Sequence, residues 1–190
     1  MSRWIGRTYL RLTGWTVIGE PPRAPKYVAV VAPHTSNWDF PILLAVKWAL
    51  GLEIGFLAKD ALFRGPAGWL FRSLGGVAVD RSAPKHLVDQ IVDVFDEQDR
   101  MAIAITPEGT RSYTDTWHSG FYRIALAARI PVVLAFIDYS TKRAGLGPTI
   151  DPTGDEDADL ATIAEFYADK HGQSPGRFGP IRFAGGPAGQ

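Results

Sequence analysis

Short, continuous apolar runs recur along this chain, separated by longer segments with helical periodicity. YVAVV at 27–31, EIGFLAK at 53–59, GVAVD at 76–80, MAIAI at 101–105 and PVVLAFI at 131–137 read as strands. Runs without polar alternation suit strands covered on both faces. Between them, residues 42–52, 68–74, 87–99 and 120–129 read as helices. In the third of these, Leu87, Ile91, Val94 and Phe95 share one face, and Asp89, Asp93, Asp96 and Asp99 lie largely away from it. Residues 15–19 alternate like an edge strand, and EPPRAPK at 20–26 is a proline-rich connection. DEDADLATIAEFYADKH at 155–171 reads as a surface helix, acidic at its start and ending on Lys170 and His171, in accord with its macrodipole. Repeated strand–helix alternation predicts a single α/β domain, residues 15–190, with a largely parallel mixed sheet flanked by helices.

Residues 1–14 are predicted to form a separate amphipathic helix. Arg3, Arg7 and Arg11 fall at i, i+4 and i+8 as one basic stripe, and Trp4, Ile5, Tyr9, Leu10 and Leu12 cover much of the remainder. Such a helix suits an anionic membrane surface, or equally a helix packed on the domain with a solvated arginine edge. Trp4 and Trp69 are candidate interfacial anchors, and Trp38 and Trp48 suit the core or an apolar channel.

Composition narrows the chemistry. Lysine plus arginine equal aspartate plus glutamate, which gives no electrostatic pull toward nucleic acid. There is no cysteine, so disulfides, thiolate metal sites and a cysteine nucleophile are excluded together. His34, His86, His118 and His171 lack zinc-site spacing, and no metal or cofactor is expected. GQSPG at 172–176 fits the serine-hydrolase pattern, but it follows a helix, and Pro175 lacks the N–H that an oxyanion hole needs. No run reaches the ~18 apolar residues of a spanning helix, and the N-terminus lacks a signal peptide's apolar core, so the protein reads as soluble or peripheral.

The candidate site is APHTSNWDFP at 32–41, between a strand and a helix. Ligands of open α/β sheets bind outside the carboxyl ends of the strands. His34 there, with Asp39 in reach, suits a general base and its orienting carboxylate. The same residues admit a plainer account: Ser36 and Asp39 form a capping box, and Pro41 sits in a first turn. Other strand ends carry polar groups too. Lys59 follows EIGFLA, Arg81 follows GVAVD, and Glu108, Gly109, Thr110 and Arg111 follow MAIAI. With parallel neighbours these ends gather beside His34, and the three cations suit a phosphate or carboxylate.

Taken in order, the His34-x-x-x-x-Asp39 spacing, GGVAVDRS at 75–82, PEGTRS at 107–112 and IPVV at 130–133 resemble the four blocks of the glycerol-phosphate and lysophosphatidic acid acyltransferases, the PlsC-like family. LAKDALFRGPAGWLFRSLGG at 57–76 is also similar to the segment between that family's first two blocks. The resemblance spans residues 15–137. It implies that His34 is the general base, that Asp39 orients it, and that an acceptor hydroxyl attacks a fatty acyl thioester of CoA or acyl carrier protein in a ternary complex. It implies that Lys59, Arg81 and Arg111 hold the acceptor's phosphate while Glu108, Gly109 and Thr110 shape the loop beside it. The implied acceptor is a phosphate-bearing lyso-lipid, and the implied location is the inner face of the cytoplasmic membrane. Pro33, Thr106 and His118 depart from the family's usual asparagine, phenylalanine and lysine, which leaves the acceptor headgroup open. A lipid-binding protein without turnover and a thioester hydrolase are the rival readings.

Overall fold

Seven strands and seven α-helices organise the part of the chain described by the computed structural model, residues 3–59, 61–65, 68–79 and 84–184. In chain order they are α1 (Arg3–Leu12), β1 (Thr16–Ile18), β2 (Lys26–Ala32), α2 (Asp39–Leu50), β3 (Gly55–Lys59), α3 (Ala61–Arg64), α4 (Gly68–Ser73) and β4 (Gly76–Val79). These are followed by α5 (Pro84–Glu97), β5 (Met101–Ile105), α6 (Gly120–Ala128), β6 (Val132–Asp138), β7 (Arg143–Ile150) and α7 (Glu156–Tyr167). The strands form one sheet in the order β1-β7-β6-β2-β5-β3-β4. The expected apolar runs β2 to β6 are mutually parallel. β7 folds back antiparallel on β6, and β1 pairs in parallel with β7 at the edge.

Both sheet faces are covered, as continuous apolar strands require. Val28, Val30, Ile103, Leu134 and Phe136 point to the side of α5, α6 and α7. Tyr27, Ala29, Val31, Ala102, Val133 and Ala135 point the other way, toward α2. The first face carries large side chains at nearly every position, and the second carries several alanines. That asymmetry leaves space under α2.

Some elements differ from the sequence expectation. β7 (RAGLGPTI) is not evident from the sequence, because two glycines and a proline mask its strand character. α2 begins at Asp39, three residues earlier than its apolar run, and α5 begins at Pro84. On α5 the buried face carries Ile91 and Phe95, with Val88 packed partly against the core, while Val94 is exposed. α7 ends at Tyr167, so Lys170 lies beyond it. The Lys170 ammonium sits instead over the rings of Phe136 and Phe166, at 5.3 and 5.0 Å.

The predicted N-terminal helix is α1, and it packs on α2. A Cβ at Gly6 would lie 2.4 Å from Ala45 O, so only glycine allows this approach, and Leu10 is buried beside it. Trp4 (71% exposed) and Leu12 (82%) remain on the outer face with Arg7 and Arg11. Arg3 departs from the stripe. Its guanidinium lies against Gly51, the left-handed residue ending α2, where the helix dipole favours a cation.

Candidate active site

The turn from β2 into α2 is built around one carboxylate. Asp39 is fully buried in the first turn of α2, and its Oδ2 accepts from Thr35 N and Ser36 N, both at 3.0 Å. These bonds close the turn that precedes α2, whose cap residue Trp38 makes no side-chain cap hydrogen bond, so Asp39 does not cap the helix. The same Oδ2 lies 3.0 Å from His34 Nδ1. Turn closure and histidine orientation are therefore one arrangement: two backbone N–H groups hold the carboxylate oxygen where the imidazole needs an acceptor. With Nδ1–H donating, Nε2 is left as the basic atom, and the His34 side chain keeps 16% of its surface open. Ser36 Oγ accepts from Trp38 N at 3.1 Å, which tightens the turn further. Trp38 itself is 64% exposed, so it belongs neither to the core nor to the cavity wall.

The turn is clamped from a second strand. Both oxygens of Glu108, just past the end of β5, accept from the His34 backbone N–H at 3.0 Å. Parallel register between β2 and β5 makes this possible by bringing the two strand ends side by side. Glu108 is buried and turned toward the His34 backbone. Burial pushes its carboxyl up to about 8 against the opposing pull of the His34 N–H, and the charge of Asp39 adds to the rise. From the C-terminal side, Ser174 N donates to Thr35 Oγ1 at 3.2 Å.

His34 opens onto a cavity of about 670 Å³ between α2 and the alanine-rich sheet face. Its depth is apolar, with Ala29, Val31, Leu43, Ile54, Phe71 and Ala135 among the lining residues. Its mouth is polar and carries His34, Thr106, Gly109, Thr110 and Arg111. Lys47 also reaches the wall, where its ammonium donates to Leu74 O at 2.7 Å, and burial lowers its pKa. Gly109 has φ +65°, and a Cβ there would meet the His118 ring at 2.6 Å, so His118 lies directly against the loop. Thr110 Oγ1 accepts from Ser112 N at 3.1 Å and holds the loop's turn. Among the candidate cations, Arg111 is exposed at the mouth. Lys59 ends β3 on the same sheet edge, where only its backbone is described, and Arg81 lies outside the described residues.

One residue at this site is not singled out by the sequence. Tyr139, immediately after β6, donates its hydroxyl to Asp39 Oδ1 at 2.7 Å. The strand-end rule that selects Lys59 and Arg81 would have selected it too, since β6 ends on the same edge.

A cavity that is apolar in depth, with a histidine–aspartate pair and an arginine at its mouth, suits a long-chain substrate with a polar reacting end. The family model described as Acyltransferase matches residues 16–137, most of the chain. The chain belongs to the acyltransferase family. It is 29% identical over 125 residues to a 1-acyl-sn-glycerol-3-phosphate acyltransferase of Saccharomyces cerevisiae, a stretch covering 62% of this chain and 40% of that protein. The chain therefore matches less than half the length of that curated relative. Among solved structures, the 1-acyl-sn-glycerophosphate (LPA) acyltransferase PlsC from Thermotoga maritima shares the fold. The TM-score is 0.56 at 19% identity, over 86% of this chain and 73% of that one. The matched family region runs from β1 into β6 and contains His34, Asp39 and the loop at 106–111. Among the described residues, no helix is long and apolar enough to cross a membrane.

Proposed function

We propose that this protein is an O-acyltransferase that moves a fatty acyl group from a thioester donor, acyl-CoA or acyl carrier protein, to a hydroxyl of a phosphate-bearing lyso-lipid of the 1-acylglycerol-3-phosphate type. The observation that carries this reading is the oriented His34–Asp39 pair at the polar mouth of an apolar cavity, on a chain of the acyltransferase family. A volume of about 670 Å³ lies within the ordinary range of ligand pockets, and its apolar depth suits an alkyl chain.

His34 Nε2 takes the proton from the acceptor hydroxyl as that oxygen attacks the thioester carbonyl. Asp39 stabilises the imidazolium that forms. Collapse of the tetrahedral intermediate breaks the carbon–sulfur bond, and the imidazolium returns the proton to the departing thiolate. The products are an ester and a free thiol, with no covalent enzyme intermediate. Arg111, with Lys59 and Arg81, is assigned to the acceptor's phosphate, which suits a guanidinium fork. The outer face of α1, with Arg7, Arg11, Trp4 and Leu12 exposed, is assigned to the anionic inner face of the cytoplasmic membrane.

Thiol release from long-chain acyl-CoA, with and without lysophosphatidic acid and other lyso-lipids, tests the reading. Acceptor-dependent release that His34→Ala reduces by about 10²–10⁴-fold is expected. Release that ignores the acceptor would make the protein a thioester hydrolase. No release with either carrier would make it a lipid binder.

A further inference from the structure

Tyr139 opens the turn joining β6 to β7, on the same sheet edge as His34 but 100 residues beyond Asp39 in the chain. Several contacts fix its phenol. Its backbone N–H donates to His171 O at 2.8 Å, and Trp15 packs edge-on against its ring with centroids 4.9 Å apart. The preceding residue, Asp138, is buried and locks the turn by accepting from Ser140 N at 3.1 Å, Ser140 Oγ at 2.7 Å, His171 N at 3.1 Å and the Thr141 hydroxyl. The Ser36 hydroxyl also faces the phenol oxygen. Burial and then the Asp39 carboxylate push the phenol's pKa up, so it stays a neutral donor.

We propose that Tyr139 is a positioning residue of the catalytic pair: its hydroxyl, donating to Asp39 Oδ1, completes the hold that Thr35 N and Ser36 N have on Oδ2, so that the carboxylate cannot tilt, Oδ2 stays on His34 Nδ1 and Nε2 is held toward the cavity. Asp39 is fully buried, and among the described residues the hydrogen bond on Oδ1 comes from Tyr139, so removing the hydroxyl takes away the donor that satisfies that oxygen. Such an oxygen relaxes by rotating toward other donors or by admitting water, and either movement lengthens the His34–Asp39 bond. The proposal rests on the acyl-transfer reading for its kinetic consequence only. The geometry of the pair stands without it.

The test is Tyr139→Phe in the full chain, which keeps the ring against Trp15 and removes only the hydroxyl. The first readout needs no substrate. In protein labelled with ¹⁵N-histidine, the His34 Nδ1–H proton, assigned by its loss in His34→Ala, is expected to move upfield and broaden. Only folded molecules give this resonance, so it decides even for a less stable variant. The second readout is thiol release with lysophosphatidic acid, where kcat is expected to fall about 10-fold with both KM values unchanged. An unchanged Nδ1–H resonance overturns the proposal, as does a rise in acceptor KM at constant kcat, which would make Tyr139 a packing element of the acceptor site. Absence of transfer by the unmodified protein would refute the functional reading and leave the resonance to judge Tyr139.

Discussion

Asp39→Asn separates the charge of the pair from its geometry. Thr35 N and Ser36 N converge on Oδ2, so an asparagine must place its amide oxygen there and its NH₂ toward Tyr139, whose oxygen can accept. His34 then still finds an acceptor at Nδ1 and keeps the tautomer with a basic Nε2. In serine proteases the corresponding change costs about 10⁴-fold because the tautomer is lost, and the two backbone donors here prevent that. What remains is the charge. A unit charge at the 3.0 Å separation has a ceiling of about 5 kcal/mol at an effective dielectric constant of ~20. A hydrogen bond to a charged group exceeds a neutral one by about 1–2 kcal/mol, so kcat should fall about 5–30-fold. The assay is acceptor-dependent thiol release by the purified variant, beside His34→Ala and with Tm measured on each. A rate within about twofold of wild type would show that the charge has no part in the reaction. A stable variant as inactive as His34→Ala would refute the argument that the backbone donors preserve the tautomer.

Glu108 has a folded-state value near 8, above the ordinary 4.5, so its contribution to stability is complete below about pH 4.5 and is lost as pH rises through about 8. Denaturant unfolding of wild type from about pH 5 to about pH 9 should show a decline on the order of a few kcal/mol that Glu108→Gln largely removes, and parallel curves for the two proteins would contradict it. On α1, Arg7→Glu with Arg11→Glu should reduce co-sedimentation with anionic vesicles at low salt by about tenfold or more, since each basic residue near such a surface contributes about 1 kcal/mol. Arg3 is left intact because it lies at the end of α2. Unchanged sedimentation would remove α1 from the membrane reading.

Much of the architecture is legible along the chain because its signals are local. Continuous apolar runs mark strands covered on both faces, and their alternation with helical segments predicts a parallel sheet. Parallel register in turn predicts that His34 and the loop 106–111 share one edge. The His34–Asp39 spacing is local as well, since both residues lie within a single strand-to-helix turn. β7 is not legible in this way because Gly145, Gly147 and Pro148 weaken strand character, and pairing with β6 overrides that weakness.

What only the tertiary structure decided depends on which way side chains point and on what distant segments meet. The sequence shows alanines in β2, β5 and β6, but strand parity places Ala29, Ala104 and Ala135 on one face, and that coincidence opens the cavity under α2. PEGTR announces a polar loop. The fold decides that Arg111 faces the mouth while Glu108 turns inward to the His34 backbone N–H. Tyr139 reaches Asp39 only because β6 lies beside β2 in the sheet. A residue's type and spacing determine what chemistry it can perform. Burial and the neighbours supplied by distant strands determine whether its charge, tautomer and direction suit that chemistry.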